Sequence, residues 1–537
     1  MPFLNLSGRR AACRIPFSPG GSVRDILDAT GTRVRSGCNG SGACGLCRVR
    51  VGGGQIHGPT AKEEYFIEET LRNEGVRLAC QLVPEGDLSI EILSPAPESS
   101  WRSLPAGQVY SVRDGNLDRG ISGGTVAAGP DCYGIAVDLG TTQVSLSLMS
   151  LKTGRRLAVR CGPNPQGEAG SDVMTRLVAA AGSASVAAEM SDRVVRAIGD
   201  GIHDIASREG LDLNRVASLF LVGNTAMLSL LSGRNYDLLV RPESWTGTID
   251  CEPEDTVAWK TAWGIPALAE IRVLPPAGGF VGSDLLAGVL ATGLTVGRRP
   301  RLLIDFGTNT EIALWDGGSL IVTSSAGGPA FEGCGIRCGL PAGPGAICRV
   351  RFSGGIAAWE TIAGEEPCGL CGTGIVDLIA GLVRSESLDA KGRFAPAFAG
   401  SGFVLSGSDP VLVLGKGDVD VFQRAKAAVG AGVQILVEEA GIGYEDLDRI
   451  FVGGTFGGSL DTANAVSIGL LPPVSPGRIE LCGNTALAGC ECALCSSSAA
   501  ARLFAIGRAT RIINLGSYRD FDDIYLENLY LRPLEHR

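Results

Sequence analysis

Cys38, Cys44, Cys47 and Cys80 carry the most chemistry in this sequence. Three of them share one glycine-rich run, Gly37-Cys38-Asn39-Gly40-Ser41-Gly42-Ala43-Cys44-Gly45-Leu46-Cys47, with five and then two residues between the thiols, and the fourth arrives in Leu78-Ala79-Cys80. Three thiolates on a tight loop, joined by one from a distant segment, suit a two-iron, two-sulfide cluster, and glycine lets backbone close around inorganic sulfide. Such a cluster passes one electron at a time. The alternatives are a zinc site or a disulfide pair. Zinc sites usually present two knuckles of similar length, whereas here one loop supplies three ligands.

A second chemistry begins at residue 133. Tyr133-Gly134-Ile135-Ala136-Val137 reads as a buried strand running into Asp138-Leu139-Gly140-Thr141-Thr142, and Arg301-Leu302-Leu303-Ile304 does the same into Asp305-Phe306-Gly307-Thr308-Asn309-Thr310-Glu311. Each copy puts an Asp at a strand end, followed by a glycine-hydroxyl hairpin whose N–H groups and Thr side chains can hold phosphate oxygens. One such turn is often only structural. Two facing copies would clamp the β- and γ-phosphates of a nucleotide, with Asp138 and Asp305 aimed at magnesium or its waters. A third stretch, Val452-Gly453-Gly454-Thr455-Phe456-Gly457-Gly458, ends another strand in a glycine turn against which a base and sugar can lie. Glu311 and Glu332 fall near the γ-phosphate in this scheme and would orient the attacking water, or serve as hairpin and helix-cap carboxylates.

The elements that must position these groups are legible as periodicity. Helices over 23–29 and 62–73 and strands over 48–51 and 88–93 give the order of a β-grasp fold. With the cysteine spacing, residues 1–94 resemble ferredoxins of the adrenodoxin type. Residues 95–131 are rich in Pro, Ser and Gly and read as a flexible linker with one short strand near 108–112. The three phosphate and glycine motifs resemble the phosphate-1, phosphate-2 and adenosine motifs of the actin-like ATPase superfamily. That resemblance implies a two-lobed, ribonuclease H-like α/β ATPase, with lobe I over 132–296 and lobe II over 297–537. It also implies two helices crossing at the lobe interface, over 281–294 and 486–506. Gly140, Thr141, Thr142, Gly307, Thr308, Asn309, Gly453, Gly454, Thr455 and Gly457 would then hold ATP, and Asp138, Asp305, Glu311 and Glu332 would act on it.

Composition sets the frame around these motifs. A chain of 537 residues with 45% apolar residues is globular and needs about three compact units. No apolar run reaches the ~20 residues of a membrane span, and 1–18 lacks a sustained apolar core, so a cytoplasmic protein without a membrane partner is expected. The net charge of −10 and the lack of a basic stripe argue against nucleic acid. The 17 cysteines point to metal chemistry or a reducing cell, and the three His residues leave little room for histidine catalysis.

Further stations narrow the resemblance. Asn164-Pro165-Gln166, Gly223-Asn224-Thr225-Ala226-Met227, Gly279-Phe280-Val281-Gly282-Ser283-Asp284, Gly328-Pro329-Ala330-Phe331-Glu332-Gly333 and Gly483-Asn484-Thr485-Ala486-Leu487-Ala488-Gly489 are similar to stretches of the reductive activators of corrinoid proteins. With the ferredoxin head, this covers nearly the whole chain. It implies ATP-dependent transfer of one electron from the iron–sulfur cluster to cobalt(II), restoring the cobalt(I) needed for methyl transfer. An upstream electron donor, a corrinoid protein partner and a homodimer are expected with it. Two departures accompany the match. Relatives place a further domain before the Asp138 strand, where this chain has only the linker. The second half also carries Cys334, Cys338, Cys348, Cys368, Cys371, Cys482, Cys490, Cys492 and Cys495. Of these, Cys334, Cys338, Cys368, Cys371, Cys490, Cys492 and Cys495 have spacings open to a second cluster, and the alternative is packing as small hydrophobes. Those cysteines favour a second reading, in which the acceptor is a radical dehydratase or a nickel-tetrapyrrole enzyme. A third is a non-enzymatic sensor whose nucleotide state follows the redox state of the cluster.

Overall fold

The sequence repeat is a repeat in space. The computed structural model describes the chain except for Met1 and residues 8–12, 29–31, 33, 35–41, 43–44, 46, 96–100, 105–131, 171, 210, 328, 354–355, 407–410 and 536–537. In lobe I, Tyr133–Leu139 runs parallel to Val216–Gly223 and antiparallel to Gln143–Ser150, which pairs in turn with Arg156–Pro163. In lobe II, Arg301–Phe306 runs parallel to Arg449–Gly454 and antiparallel to Thr310–Trp315, which pairs with Leu320–Ser325. Each lobe thus holds a six-stranded mixed sheet, five strands of which follow the same order.

Alternation along the two Asp-bearing strands divides the cores. Ile135, Val137 and Leu139 face the core of lobe I, and Leu302, Ile304 and Phe306 face that of lobe II. Ala136 and Leu303 point the opposite way, into a shared core between the lobes with Leu286, Val289, Leu487 and Cys490. Strands buried on both faces must be apolar at every position, which is why they read as continuous runs. The shared core is built on two crossing helices, Ser283–Thr292 and Thr485–Cys495. They approach so closely that a Cβ on Gly489 would fall inside the backbone of Ala287. The helix expected over 486–506 is in fact two. Ser496 breaks it and caps Ser497–Ala509 by accepting from the Ala499 N–H at 3.3 Å.

The linker is not free along its length. Arg102–Leu104 adds to the edge of the lobe I sheet beside Arg156–Pro163, and Trp101 is buried in the lobe I core. At the other end, Pro95 bridges to Val34 within the head. The stretch that leashes head to ATPase is therefore 96–100 rather than the whole of 95–131. Its six Cα steps from Pro95 to Trp101 reach about 20 Å when fully extended. The strand expected near 108–112 lies outside the described residues.

In the head, the five-stranded sheet has the order Cys13–Pro16, Phe3–Ser7, Leu88–Ile92, Arg48–Gly53, Val76–Leu78, with Phe3–Ser7 and Leu88–Ile92 parallel. This is the β-grasp arrangement. The helix expected over 62–73 splits into Ala61–Phe66 and Glu69–Asn73, because Ile67 is extended. Thr60 and Glu63 form a capping box at its start. The Glu63 carboxylate, fully buried, also accepts from Arg77 Nε and Nη2 at 2.9 Å each and from the Leu78 N–H at 3.0 Å. This ties the helix to Val76–Leu78, just before Cys80.

Burial alone would raise the pKa of Glu63, but hydrogen bonds from Arg77, Thr60 and Leu78 outweigh it and hold the carboxyl below its ordinary value. A depressed folded pKa stabilises the fold above the unfolded value of about 4.3 and loses that contribution as pH falls through the folded value. Glu63→Ala strands the buried guanidinium and is expected to cost about 3–5 kcal/mol. Thermal melts followed by visible absorbance will show a lower midpoint for the head, while a Glu91→Ala control, which breaks the exposed pair with Arg50, stays near wild type.

Candidate functional site

Two sites, one in the head and one between the lobes, divide the chemistry. In the head, Cys47 Sγ and Cys80 Sγ are 3.4 Å apart. That is far beyond the ~2.05 Å of a disulfide and suits two ligands of one tetrahedral metal. Cys47 is buried, and Gly45 adopts φ 68° where a Cβ would run into the Phe66 ring. Residue 45 can therefore sit against Phe66 only as glycine. Gln81 Nε2 points at Cys80 Sγ at 3.7 Å, the kind of contact that stabilises negative charge on sulfur. Cys38 and Cys44 lie outside the described residues. The two described thiols and the glycine-lined loop fit a 2Fe-2S cluster, which would supply single electrons at this position.

Between the lobes, the two hairpins face each other. Gly140 N–H bonds the Gln143 carbonyl at 3.0 Å and Gly307 N–H bonds the Asn309 carbonyl at 3.1 Å, so each turn is closed from its glycine, the second one residue tighter. Their hydroxyls meet across the cleft. Thr142 Oγ1 lies 2.7 Å from Thr308 Oγ1 and donates to Glu332 at 3.1 Å. Thr141 is held from behind, its carbonyl accepting from Arg176 Nη1 at 2.8 Å, and the Gly140 carbonyl accepts from Asn164 at 2.8 Å. The glycine turn after Arg449–Gly454 joins them, because Thr455 N–H donates to the Phe306 carbonyl at 2.7 Å. Gly454, at φ 70°, packs where a Cβ would overlap that same carbonyl. Gly457 sits against Gly483, whose N–H it accepts at 2.9 Å.

The floor of the cleft is acidic. Asp138 accepts from Asn484 Nδ2 and Asp305 from Thr485 Oγ1, each at 2.7 Å. The start of the second crossing helix thus holds one aspartate from each lobe. Asp284, in the first turn of the other crossing helix, stands near Asp305 and Glu311. Desolvation pushes Asp138 and Glu332 up to about 7 and Asp284 up to about 6, and it raises Asp305 and Glu311 as well. Glu311 is paired in register with Asp305, and its Oε1 has no hydrogen-bond partner among the described residues. So Glu311 belongs to the floor beneath Asp305, whereas Glu332 stands by the phosphate hairpins. Among the described residues, no three acidic, Cys or His side chains converge as a cage for a metal. Magnesium needs no such cage, since it keeps several waters and takes one or two carboxylates plus phosphate oxygens.

Asp284, Asn484, Thr485 and Arg176 had no role assigned from sequence alone. A signal for two of them was present, because Gly-Asn-Thr-Ala occurs twice, at 223–226 and at 483–486, each time at a strand end where the Asn caps the next helix. Among the described residues, the cysteines of the second half form no group of three that could hold a metal. Cys490 is fully buried between the lobes and donates to the Phe220 carbonyl at 3.3 Å. Cys371 contacts the Ile347 carbonyl at 3.4 Å, Cys368 is exposed, and Cys334 and Cys338 lie in another loop. Burial pushes Cys338, Cys482 and Cys492 up to about 12 and Cys495 up to about 11.

Comparison with known proteins follows the same three units. A 2Fe-2S iron-sulfur cluster binding domain matches 7–85, the RACo middle region matches 133–296, and the C-terminal domain of RACo, the ASKHA domain, matches 299–536. Corrinoid activation enzyme RamQ of Eubacterium limosum is 31% identical over 420 residues, spanning 74% of this chain and 70% of that one. The chain belongs to the family of corrinoid-protein activators. A Co(II) methylated amine-specific corrinoid protein reductase of Methanosarcina barkeri is likewise 31% identical, over 391 residues, 66% of this chain and 68% of its own. The solved structure of a reductive activator for corrinoid, iron-sulfur protein superposes with a TM-score of 0.68 at 25% identity, covering 100% of this chain and 99% of that one. In this activator family the middle region falls on lobe I itself, directly after the linker.

If only the head binds iron, the purified chain holds about two iron atoms. Cys371→Ser and Cys495→Ser are expected to keep that content and the visible spectrum, while Cys80→Ser loses both. Iron analysis showing more than two, reduced by either second-half substitution, would revive a second cluster.

Proposed function

We propose that the chain is an ATP-hydrolysing reductase that delivers one electron to the cobalt(II) of a corrinoid protein and restores cobalt(I). The observation that carries this reading is the joining of a cluster-bearing ferredoxin to a two-hairpin cleft on one chain of the activator family. Cysteines 38, 44, 47 and 80 would hold the cluster. Gly140, Thr141, Thr142, Gly307, Thr308 and Asn309 would cradle the phosphates, and Gly453, Gly454, Thr455 and Gly457 would face the base and sugar. Asp138 and Asp305 would bind magnesium through its waters, and Glu332 would orient the attacking water. The corrinoid is the substrate and gains one electron, and no phosphate acceptor is required. For a one-electron step every 59 mV of unfavourable potential costs a factor of ten. ATP helps only if its bound states differ in affinity for the partner or in how they present the electron donor. The upstream donor and the second copy of the chain stand in this reading on the family resemblance alone. Another low-potential acceptor is the second reading, and among the described residues no three Cys, His or acidic side chains converge as the further metal site that would favour it.

The test is anaerobic reduction of a cobalt(II) corrinoid protein by the reduced chain, read as visible absorbance with and without Mg-ATP. A cobalt(I) band that needs ATP is expected, and Asp138→Ala and Cys47→Ser should each abolish it. An intact cluster and measurable ATP hydrolysis with no band would refute the corrinoid acceptor.

Protons compete with magnesium for the raised carboxylates. Asp138, with its pKa raised to about 7, is mostly protonated at pH 6 and ionised at pH 8. Mg-ATP affinity is therefore expected to rise on the order of tenfold between those values. Calorimetry on Asp138→Asn should give a flatter dependence. An equal slope in the variant would assign the effect to the nucleotide's own phosphate.

A further inference from the structure

The ferredoxin head touches lobe II beside the loop that senses the cleft. Residues 333–339 close into a ring whose neck is Gly333 against Gly339, where a Cβ on either would overlap the other's surroundings. Leu370 pins the ring by donating to the Cys338 carbonyl at 2.7 Å and accepting from Leu340 N–H at 2.8 Å. Its neck is thus closed by backbone contact and pinned by two hydrogen bonds. Glu332, immediately before it, takes the hydrogen bond from Thr142 of lobe I.

On its far side the ring carries Arg337. The Arg337 N–H donates to Asp418 Oδ1 at 2.8 Å and its Nε to Oδ2 at 3.3 Å, and the fully buried Asp418 also accepts from Gly415 N–H at 2.8 Å. The Arg337 carbonyl, so fixed, accepts from Arg48 Nη2 at 3.2 Å. Arg48 follows Cys47, and its guanidinium also donates to the Gly45 and Phe66 carbonyls at 3.2 Å each. Tyr65 completes the contact, its hydroxyl 3.7 Å from where a Cβ on Gly417 would stand. The head is thus hydrogen-bonded to lobe II while residues 96–100 leash it to Trp101 of lobe I. It spans the two halves of the cleft.

A phosphate cannot enter between Thr142 and Thr308 while their hydroxyls are 2.7 Å apart. Its arrival must open that contact and, by like charge, push the Glu332 carboxylate away from Thr142. We propose that binding of a nucleoside triphosphate undocks the ferredoxin head from the 333–339 ring, with Glu332 and the ring as the mechanical link. This rests on the cleft being a nucleotide site and not on the identity of the electron acceptor. Linkage makes the coupling reciprocal, so an undocked head raises triphosphate affinity by the factor by which the triphosphate weakens docking.

The experiment uses the full-length protein with its cluster, without any corrinoid. Hydrogen exchange over 61–66 and 415–420 is measured with and without a magnesium complex of a non-hydrolysable ATP analogue. Exchange at least threefold faster in both segments with the analogue is expected, and unchanged or slower exchange overturns the proposal. In a second arm, Gly417→Arg wedges the contact at a helix position where Arg is the better helix former, and Tyr65→Ala empties it from the other side. Intact cluster absorbance verifies each fold. Both variants should bind the analogue about fivefold tighter or more, within the usual range of such couplings. Equal or weaker binding in both overturns the link. Absence of analogue binding by the wild-type chain would overturn the nucleotide reading itself and this inference with it, whereas a failure to reduce any corrinoid bears on neither.

Discussion

Everything in the ATPase half depends on how closely the helices Ser283–Thr292 and Thr485–Cys495 cross. At the Gly489–Ala287 contact no side chain separates the backbones. That brings the N-terminal turns of both helices to the floor of the cleft, so that Asp284 comes from one and Asn484 and Thr485 from the other. Moving either helix outward by the width of a methyl group would withdraw the donors that hold Asp138 and Asp305. The shared core of Ala136, Leu303, Val289 and Leu487 is what keeps them in place, since burial of apolar surface is the force available at a contact with few polar bonds.

That crossing is also what makes the cleft electrostatically costly. Five carboxylates stand together along the cleft, and desolvation raises the pKa of each. Two neutral donors, Asn484 and Thr485, offset only part of it. A hydrated divalent cation with its phosphates is the kind of group that would relieve the remainder. A ligand that met these carboxylates better in one arrangement of the lobes than in another would shift the equilibrium between the two.

The sequence made the strands and hairpins legible because their constraints are local. A strand buried on both faces must be apolar throughout, and a phosphate hairpin needs Gly and Thr at fixed offsets, so 133–142 and 301–311 could be read directly. The cysteine comb was legible for the same reason. What escaped was long-range or hidden by helical periodicity. Ser496 interrupts the pattern at 486–506 without Gly or Pro, and Ile67 parts two short helices within an unbroken polar-apolar run. Arg102–Leu104 is too short to carry a pattern, and only its pairing with Arg156–Pro163 makes it a strand. Asp284 stands out only as part of a family-like stretch, and nothing in its sequence neighbours shows that Asp305 and Glu311 lie beside it.

The anchoring of residues 101–104 alters the physics of electron delivery. A tether of the full 95–131 length would let the head search a large volume and would tell it nothing about the cleft. With only 96–100 between them, Pro95 of the head stays within about 20 Å of Trp101 on lobe I, while the head meets lobe II at Arg337. Rotation of one lobe against the other then changes the distance between leash point and dock, so the docked state is compatible with some lobe angles and not with others. The same confinement raises the effective concentration of the head near the cleft, so a weak contact of a few hydrogen bonds can hold it. Weakness is an advantage here. A docking contact worth only a few kcal/mol is one that ligand binding elsewhere in the chain could reverse, and under the proposal above the nucleotide state would then decide where the head is delivered.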